Sequence, residues 1–216
     1  MLTLPTNVAQ DEGPALHPWW KDWRGQTAAI VGAGPSAKSA GVDQLRGHAK
    51  VVVVNESYQL CPWADVLYGC DVKWWNSRNP QFDGLKLCYD STLALFHVGI
   101  NKIMIRESSD VILVDKAGVV GAGGCSGFQA LNLAVQFGAR KILLVGFDMR
   151  SDLDTHWHGR HLPPCGNPSQ INFDRWKKSL DGSFEKLTTL GVRVINCSPV
   201  STLTSYPKMT IAEALR

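Results

Sequence analysis

Thr27-Ala28-Ala29-Ile30-Val31-Gly32-Ala33-Gly34-Pro35-Ser36-Ala37 is the stretch on which the fold turns. The run from Ala28 to Val31 carries no polar side chain, so it reads as a short strand buried on both faces, as parallel sheets require. It ends directly in a glycine turn. Glycines let the backbone bend sharply and approach a phosphate or ribose, and the following helix points its N-terminal amides at the same place. The string Gly32-x-Gly34-x-x-Ala37 also matches a dinucleotide-binding fingerprint, which wants an acidic residue about 20 positions on. The next valine run, Lys50–Val54, ends in Asn55-Glu56. Glu56 can serve as that acid, although Asn55 stands at the more natural position. A tight strand-to-helix turn without a ligand would use the same glycines.

Outward from this turn, short apolar runs recur with turn residues between them. Val66–Tyr68, Leu85–Tyr89, Lys102–Ile105 and Val111–Val114 are strand candidates, and Asp71–Trp75 reads as another that leads into Asn76. Ser126–Phe137 has apolar positions at helical spacing and no internal Gly or Pro, so it predicts a helix closed by Gly138. Lys141–Val145 follows as a strand. Phe173–Leu190 predicts one long amphipathic helix, stopped by Gly191 and followed by the strand Val192–Asn196. The alternation predicts an α/β, Rossmann-like fold: a mostly parallel sheet with helices on both faces. We expect an N-terminal arm over 1–24 and a single domain over 25–216. From His156 to Asn172 periodicity gives way to His, Pro, Gly and Asn, which predicts a small lid loop over about 151–172.

Composition narrows the function. The chain has 216 residues, at about 150 per domain enough for one domain with a lid. With 44% hydrophobic and 19% charged residues it is neither disordered nor collagen-like. It has no apolar run long enough to span a membrane, and Met1–Pro14 lacks the pattern of a secretory signal, so we expect a cytoplasmic protein with no membrane partner. The net charge of +3 is weak for a nucleic-acid binder, and Arg175-Trp176-Lys177-Lys178 reads as a solvated helix face. The six cysteines form no C-x-x-C pair, which predicts reduced thiols and no structural zinc.

Several strand ends carry small polar groups. Asn55 and Asn76 offer a donor and an acceptor suited to a ribose hydroxyl or a base edge, although asparagine is also a common turn former. Gly123-Gly124-Cys125-Ser126-Gly127 precedes the predicted helix, where amides, the Ser126 hydroxyl and the helix dipole would meet an anion. An N-cap serine beside a glycine hinge explains the same residues. Cys125 is expected as a small packing residue, with a lowered pKa as the alternative. Asp148 stands just beyond the strand Lys141–Val145, where open α/β sheets place ligands. Asp154–His161 holds three of the six histidines. One imidazole there can act as a general base. If the segment is extended, His156 and His158 share a face and can hold a metal instead. A surface loop with incidental histidines is the remaining alternative.

In order and spacing these motifs resemble the bacterial sialyltransferase superfamily that includes the 6-hydroxymethylpterin pyrophosphokinase-like proteins, its phage-encoded members above all. The resemblance runs from about Thr27 to Leu215. It is carried by Val31–Ser36, Asn55, Asn76 after Trp74-Trp75, Cys125-Ser126-Gly127, Gly146-Phe147-Asp148, the His156–His161 loop and Asn196-Cys197-Ser198-Pro199. It implies a cytidine- or uridine-type nucleotide-sugar donor, with no tightly bound cofactor. Donor contacts would come from Gly32, Gly34, Ser36, Asn55, Asn76, Ser126 and Gly127. Asp148 joins that group and counts with the catalytic residues, His161 as general base and His158 second.

The sequence departs from the pattern in four places, one of them a shorter region before Gly121 on the acceptor side. Ala33 replaces an asparagine, Arg150 stands where a tyrosine holds the donor phosphate, and Arg160 intervenes between Gly159 and His161. Arg150 can replace the tyrosine by charge. The implied function is a glycosyltransferase whose acceptor is a glycan or a modified nucleic acid, in the host cytoplasm if phage-encoded, and a homo-oligomer is compatible with it. A magnesium-dependent pterin-type diphosphokinase and a non-catalytic nucleotide-binding protein are the alternatives, and a flavin or nicotinamide enzyme ranks last.

Overall fold

The computed structural model describes residues 17–89, 99–152 and 154–216. The first residues of the expected arm, 1–16, and Leu153 of the expected lid lie outside that set. The run that opens the glycine turn is β1 (Thr27–Val31), hydrogen-bonded to β2 (Lys50–Val54) on one side and to β8 (Lys141–Val145) on the other. Beyond β2 lie β3 (Val66–Tyr68), β4 (Leu85–Cys88) and β5 (Ile100–Lys102), and beyond β8 lies β9 (Arg193–Asn196). The sheet has seven strands in the order β5-β4-β3-β2-β1-β8-β9, and every pairing is parallel. A separate parallel pair joins β6 (Met104–Arg106) to β7 (Val119–Gly121).

Alternation along the central strands feeds two cores. Ala28, Ile30, Val52, Val54, Ile142 and Leu144 face one side. There they pack against α2 (Ser126–Gln136), Leu180 of α3 (Gln170–Gly182) and Leu187 of α4 (Phe184–Thr189). Ala29, Val31, Val51, Val53, Leu143 and Val145 face the other, against Trp74 and Trp75 of α1 (Val72–Arg78) and Ile211 and Ala214 of α5 (Ile211–Leu215). A parallel sheet needs both faces covered, and the apolar strands meet that need. Trp23 is buried at the far end of α2, where its backbone N–H donates to the Phe137 carbonyl at 2.6 Å.

Five expectations need correction. Asp71–Trp75 is not a strand: the Asp71 carboxylate accepts from the Lys73 N–H at 2.8 Å and caps α1. Asn76 therefore stands exposed on a helix rather than at a strand end. Val111–Val114 forms no strand either. Its central backbone groups are taken by α2 side chains: Asn132 accepts from the Leu113 N–H, and Asn132 and Gln136 donate to the Leu113 carbonyl. The run Lys102–Ile105 breaks at Ile103, ending β5 in one sheet and starting β6 in the other. The long helix Phe173–Leu190 is two, α3 and α4, separated at Ser183 after Gly182. After the glycine turn the chain forms a short 3-10 helix, Pro35–Ser39, rather than an α-helix.

Candidate active site

Strand order reverses between β1 and β8, and their carboxyl ends open a crevice there, the usual place for a ligand in an open α/β sheet. The crevice is a cavity of about 240 Å³. Its walls include Gly32 and Gly34 after β1, Asn55 after β2, Gly124–Gly127 at the start of α2, Asp148 and Arg150 after β8, and His156. Of the residues expected at the site, Gly32, Gly34, Asn55, Ser126, Gly127, Asp148 and Arg150 thus line one hollow. Ser36 adjoins it through Asp148, and Asn76 lies outside the lining. Phe173 and Trp176 of α3 add an apolar wall that sequence reading left within a helix face. Their three-residue spacing puts both on one side of α3, the only signal that could have singled them out.

Much of this wall is internally satisfied. The glycine turn lies against the end of β8: the Gly32 N–H donates to the Val145 carbonyl at 2.8 Å, and the Gly34 N–H to the Gly146 carbonyl at 2.9 Å. A Cβ at position 34 would meet the Gly146 oxygen at 2.5 Å and the Asp148 carboxyl at 2.9 Å, so only glycine allows the approach. The Asp148 carboxylate is buried and accepts from the Ser36 N–H at 2.8 Å and from the Ser36 hydroxyl. It therefore holds the 3-10 turn in place. The Ser126 hydroxyl accepts from the Cys70 N–H at 3.3 Å and contacts the Cys70 thiol at 3.0 Å.

Cys125, not Ser126, is the N-cap, its sulfur accepting from the Phe128 N–H at 3.4 Å. Burial pushes the Cys125 thiol up to about 12, so it is a packing and capping group rather than a nucleophile. The Arg150 guanidinium forks onto Asp152 and reaches the Val200 carbonyl at 3.3 Å. Glu56 is buried behind the cavity wall, where Arg78 donates to it at 2.7 Å and the Trp74 indole donates to its other oxygen. It does not line the cavity as an acid for a ribose would.

Other groups have no partner. Asn55 sits at φ 49°, a left-handed conformation that asparagine tolerates, and its Oδ1 is buried with no hydrogen bond. Three more such atoms lie in the histidine loop: His156 Nε2, His158 Nε2 and His161 Nδ1. A buried polar atom left unpaired costs about 1–3 kcal/mol. The loop is tied to the glycine turn by the Trp157 N–H, which donates to the Ala33 carbonyl at 2.9 Å, and its exit by paired hydrogen bonds between Asn167 and the His161 backbone.

The loop is not extended. A turn closed by the Gly159 N–H on the His156 carbonyl stacks the His156 and His158 rings at 5.0 Å, and His161 completes a triad at 4.6 and 4.8 Å from them. Burial and the neighbouring imidazoles lower His156 to about 3. His158 is lowered by burial and by His161, and His161 chiefly by burial, with the Glu56 carboxylate, 3.8 Å from its Nδ1, acting in the opposite sense. All three rings are thus neutral near pH 7, each with a lone pair to offer.

No helix among the described residues is long and apolar enough to cross a membrane. No protein-family model matches the sequence, and no curated protein does. Solved structures do match in fold. The sialyltransferase CstII from Campylobacter jejuni, in complex with cytidine-5'-monophosphate, superposes with a TM-score of 0.55 at 14% identity, over 87% of this chain and 86% of that one. The same enzyme with the substrate analogue CMP-3FNeuAc gives a TM-score of 0.51 at 14% identity, over 86% of each chain. The α/β, Rossmann-like architecture of this chain is therefore that of a known sialyltransferase over most of its length.

Proposed function

We propose that the chain is a transferase that binds a pyrimidine nucleotide-sugar donor in the cavity between β1 and β8. The observation that carries this is convergence: residues after β1, β2 and β8 and at the start of α2 line one hollow of about 240 Å³. The fold likeness to a sialyltransferase solved with cytidine monophosphate supports the same class of donor. In this reading Asn55 gives its unpartnered oxygen to the nucleoside, and Trp176 and Phe173 offer the flat surface against which it lies. The phosphate sits at the N-terminus of α2, where the helix dipole favours negative charge. Arg150 adds a positive charge once it exchanges Asp152 for the phosphate.

Transfer forms a bond from an acceptor oxygen to the anomeric carbon as the bond from that carbon to the phosphate oxygen breaks, its electron pair leaving with the nucleotide. The dipole at the start of α2 and Arg150 stabilise that departing charge. The acceptor's proton leaves on the side of the histidine triad. Of its members His156 forms the cavity wall, with His158 and His161, the residues the family resemblance marks as bases, standing behind it. A thermal-shift panel of nucleotides on the full chain tests this. Cytidine or uridine mono- and diphosphates are expected to raise the melting temperature, and adenosine triphosphate with magnesium to leave it unchanged. A chain stabilised only by adenosine triphosphate, or by no nucleotide, would overturn the proposal.

A further inference from the structure

We propose that His156, His158 and His161 together bind one divalent transition-metal ion of the zinc type. Each offers one ring nitrogen, and the three nitrogens lie within 4.8 Å of one another. Tetrahedral zinc with bonds of 2.0–2.1 Å places its ligand atoms about 3.3 Å apart, so small side-chain rotations close the triad around an ion. Among the described residues no other group of three His, Cys, Asp or Glu side chains is gathered this way.

Two further observations point to a ligand. One is orphaned chemistry: the His156 Nε2, His158 Nε2 and His161 Nδ1 atoms are buried with no hydrogen-bond partner, and the His161 side chain is only 8% exposed. Buried polar groups are nearly always paired in folded proteins, and an ion would pair these in one step. The other is the surroundings. The Glu56 carboxylate, itself held by Arg78 and Trp74, stands 3.8 Å from His161 Nδ1 and sets a negative charge beside the position a cation would take.

The donor set selects the ion. Three imidazoles suit zinc, cobalt, nickel or copper, whereas magnesium prefers oxygen ligands and retains its waters. Three protein ligands leave a coordination position open, and the triad meets the cavity through His156, so the remaining ligand is an oxygen drawn from the cavity: water, an acceptor hydroxyl or a phosphate. An ion held by all three imidazoles takes up their lone pairs, so the triad accepts the acceptor's proton only in the ion-free chain; the ion site itself stands whether or not the cavity takes a nucleotide.

The test is titration of the untagged, chelator-treated full chain with cobalt(II), followed by displacement with zinc(II). One equivalent of cobalt per chain is expected to give the visible bands of a four- or five-coordinate nitrogen site, and zinc to abolish them. His158→Asn and His161→Gln should each lower affinity by more than the 10–100-fold typical of losing an outer-shell partner, with the far-UV circular dichroism unchanged. On the unaltered chain, zinc should protect the triad from diethylpyrocarbonate while the exposed His17 and His48 still react, a readout that does not depend on any variant folding. Absence of cobalt bands, thiolate-to-cobalt charge-transfer bands in their place, or zinc that fails to protect the triad would overturn the proposal. A nucleotide thermal shift with no metal binding would sink the ion site and leave the donor site standing; the reverse result would do the opposite.

Discussion

The turn after β1 and the histidine loop lie side by side, joined by the Trp157 N–H on the Ala33 carbonyl, yet they differ in how their polar groups are used. Around the turn nearly every polar atom is consumed. Asp148 is bonded to Ser36, Ser126 to Cys70, and the turn's own amides to β8. In the loop, three buried imidazole nitrogens face one another with nothing to bond. Asn55 resembles the loop rather than the turn, because its buried oxygen is also unpaired. Residues that look equally polar in sequence thus divide into a framework that shapes the cavity and a smaller set free to hold a ligand. Removing framework groups should cost stability, and removing ligand-facing groups should cost binding.

The largest expected effect concerns the framework's buried thiols. Burial raises Cys61 and Cys197 from the usual 9.0 to about 12. Above pH 9 the unfolded chain releases these protons while the folded chain keeps them, so stability falls as pH rises toward 12. The loss is on the order of 1.4 kcal/mol per pH unit for each thiol. Urea unfolding between pH 8 and 11 reads it; a flat profile would show that these cysteines are not part of the sealed framework.

Next in size is Asp148→Ala, which strands the Ser36 amide and hydroxyl. It should lower unfolding stability by about 3 kcal/mol, as expected for charge-assisted hydrogen bonds lost from a buried site. Stability unchanged, with nucleotide binding abolished, would move Asp148 out of the framework and into direct ligand contact. The smallest stability change belongs to Asn55→Gly, which keeps the left-handed backbone and removes the side chain that carries the unpaired oxygen. Unfolding free energy should move by less than about 1 kcal/mol. Affinity for the stabilising nucleotide should drop about tenfold by calorimetry, equivalent to about 1.4 kcal/mol. A large loss of stability with intact affinity would erase the distinction drawn between Asn55 and Asp148.

Legibility in the sequence followed the range of the interactions involved. β1, β2, β3 and β8 have the bounds expected from their apolar runs, because burial on both faces leaves short, apolar stretches bounded by turn residues. Asp71-Val72-Lys73-Trp74-Trp75 misled because two adjacent tryptophans suggest a strand, while a single carboxylate on the Lys73 amide selects a helix. Val111–Val114 misled because apolar residues also line irregular segments whose backbone is satisfied from elsewhere, here by Asn132 and Gln136. Setting His156 beside His158 assumed an extended segment, whereas a turn brings the two rings together and adds His161.

By itself the sequence determined the class of architecture, the glycine turn at the end of its first strand, and the end of the sheet at which polar side chains collect. All three are written in spacing along the chain, where burial and backbone sterics act over a few residues. Only the tertiary structure decided which of those polar groups are already bonded, which tryptophan faces the cavity, and that three imidazoles share one buried space beside Glu56. A hydrogen-bond partner such as Ser36 for Asp148 lies 112 residues away in the chain, and no local pattern records it.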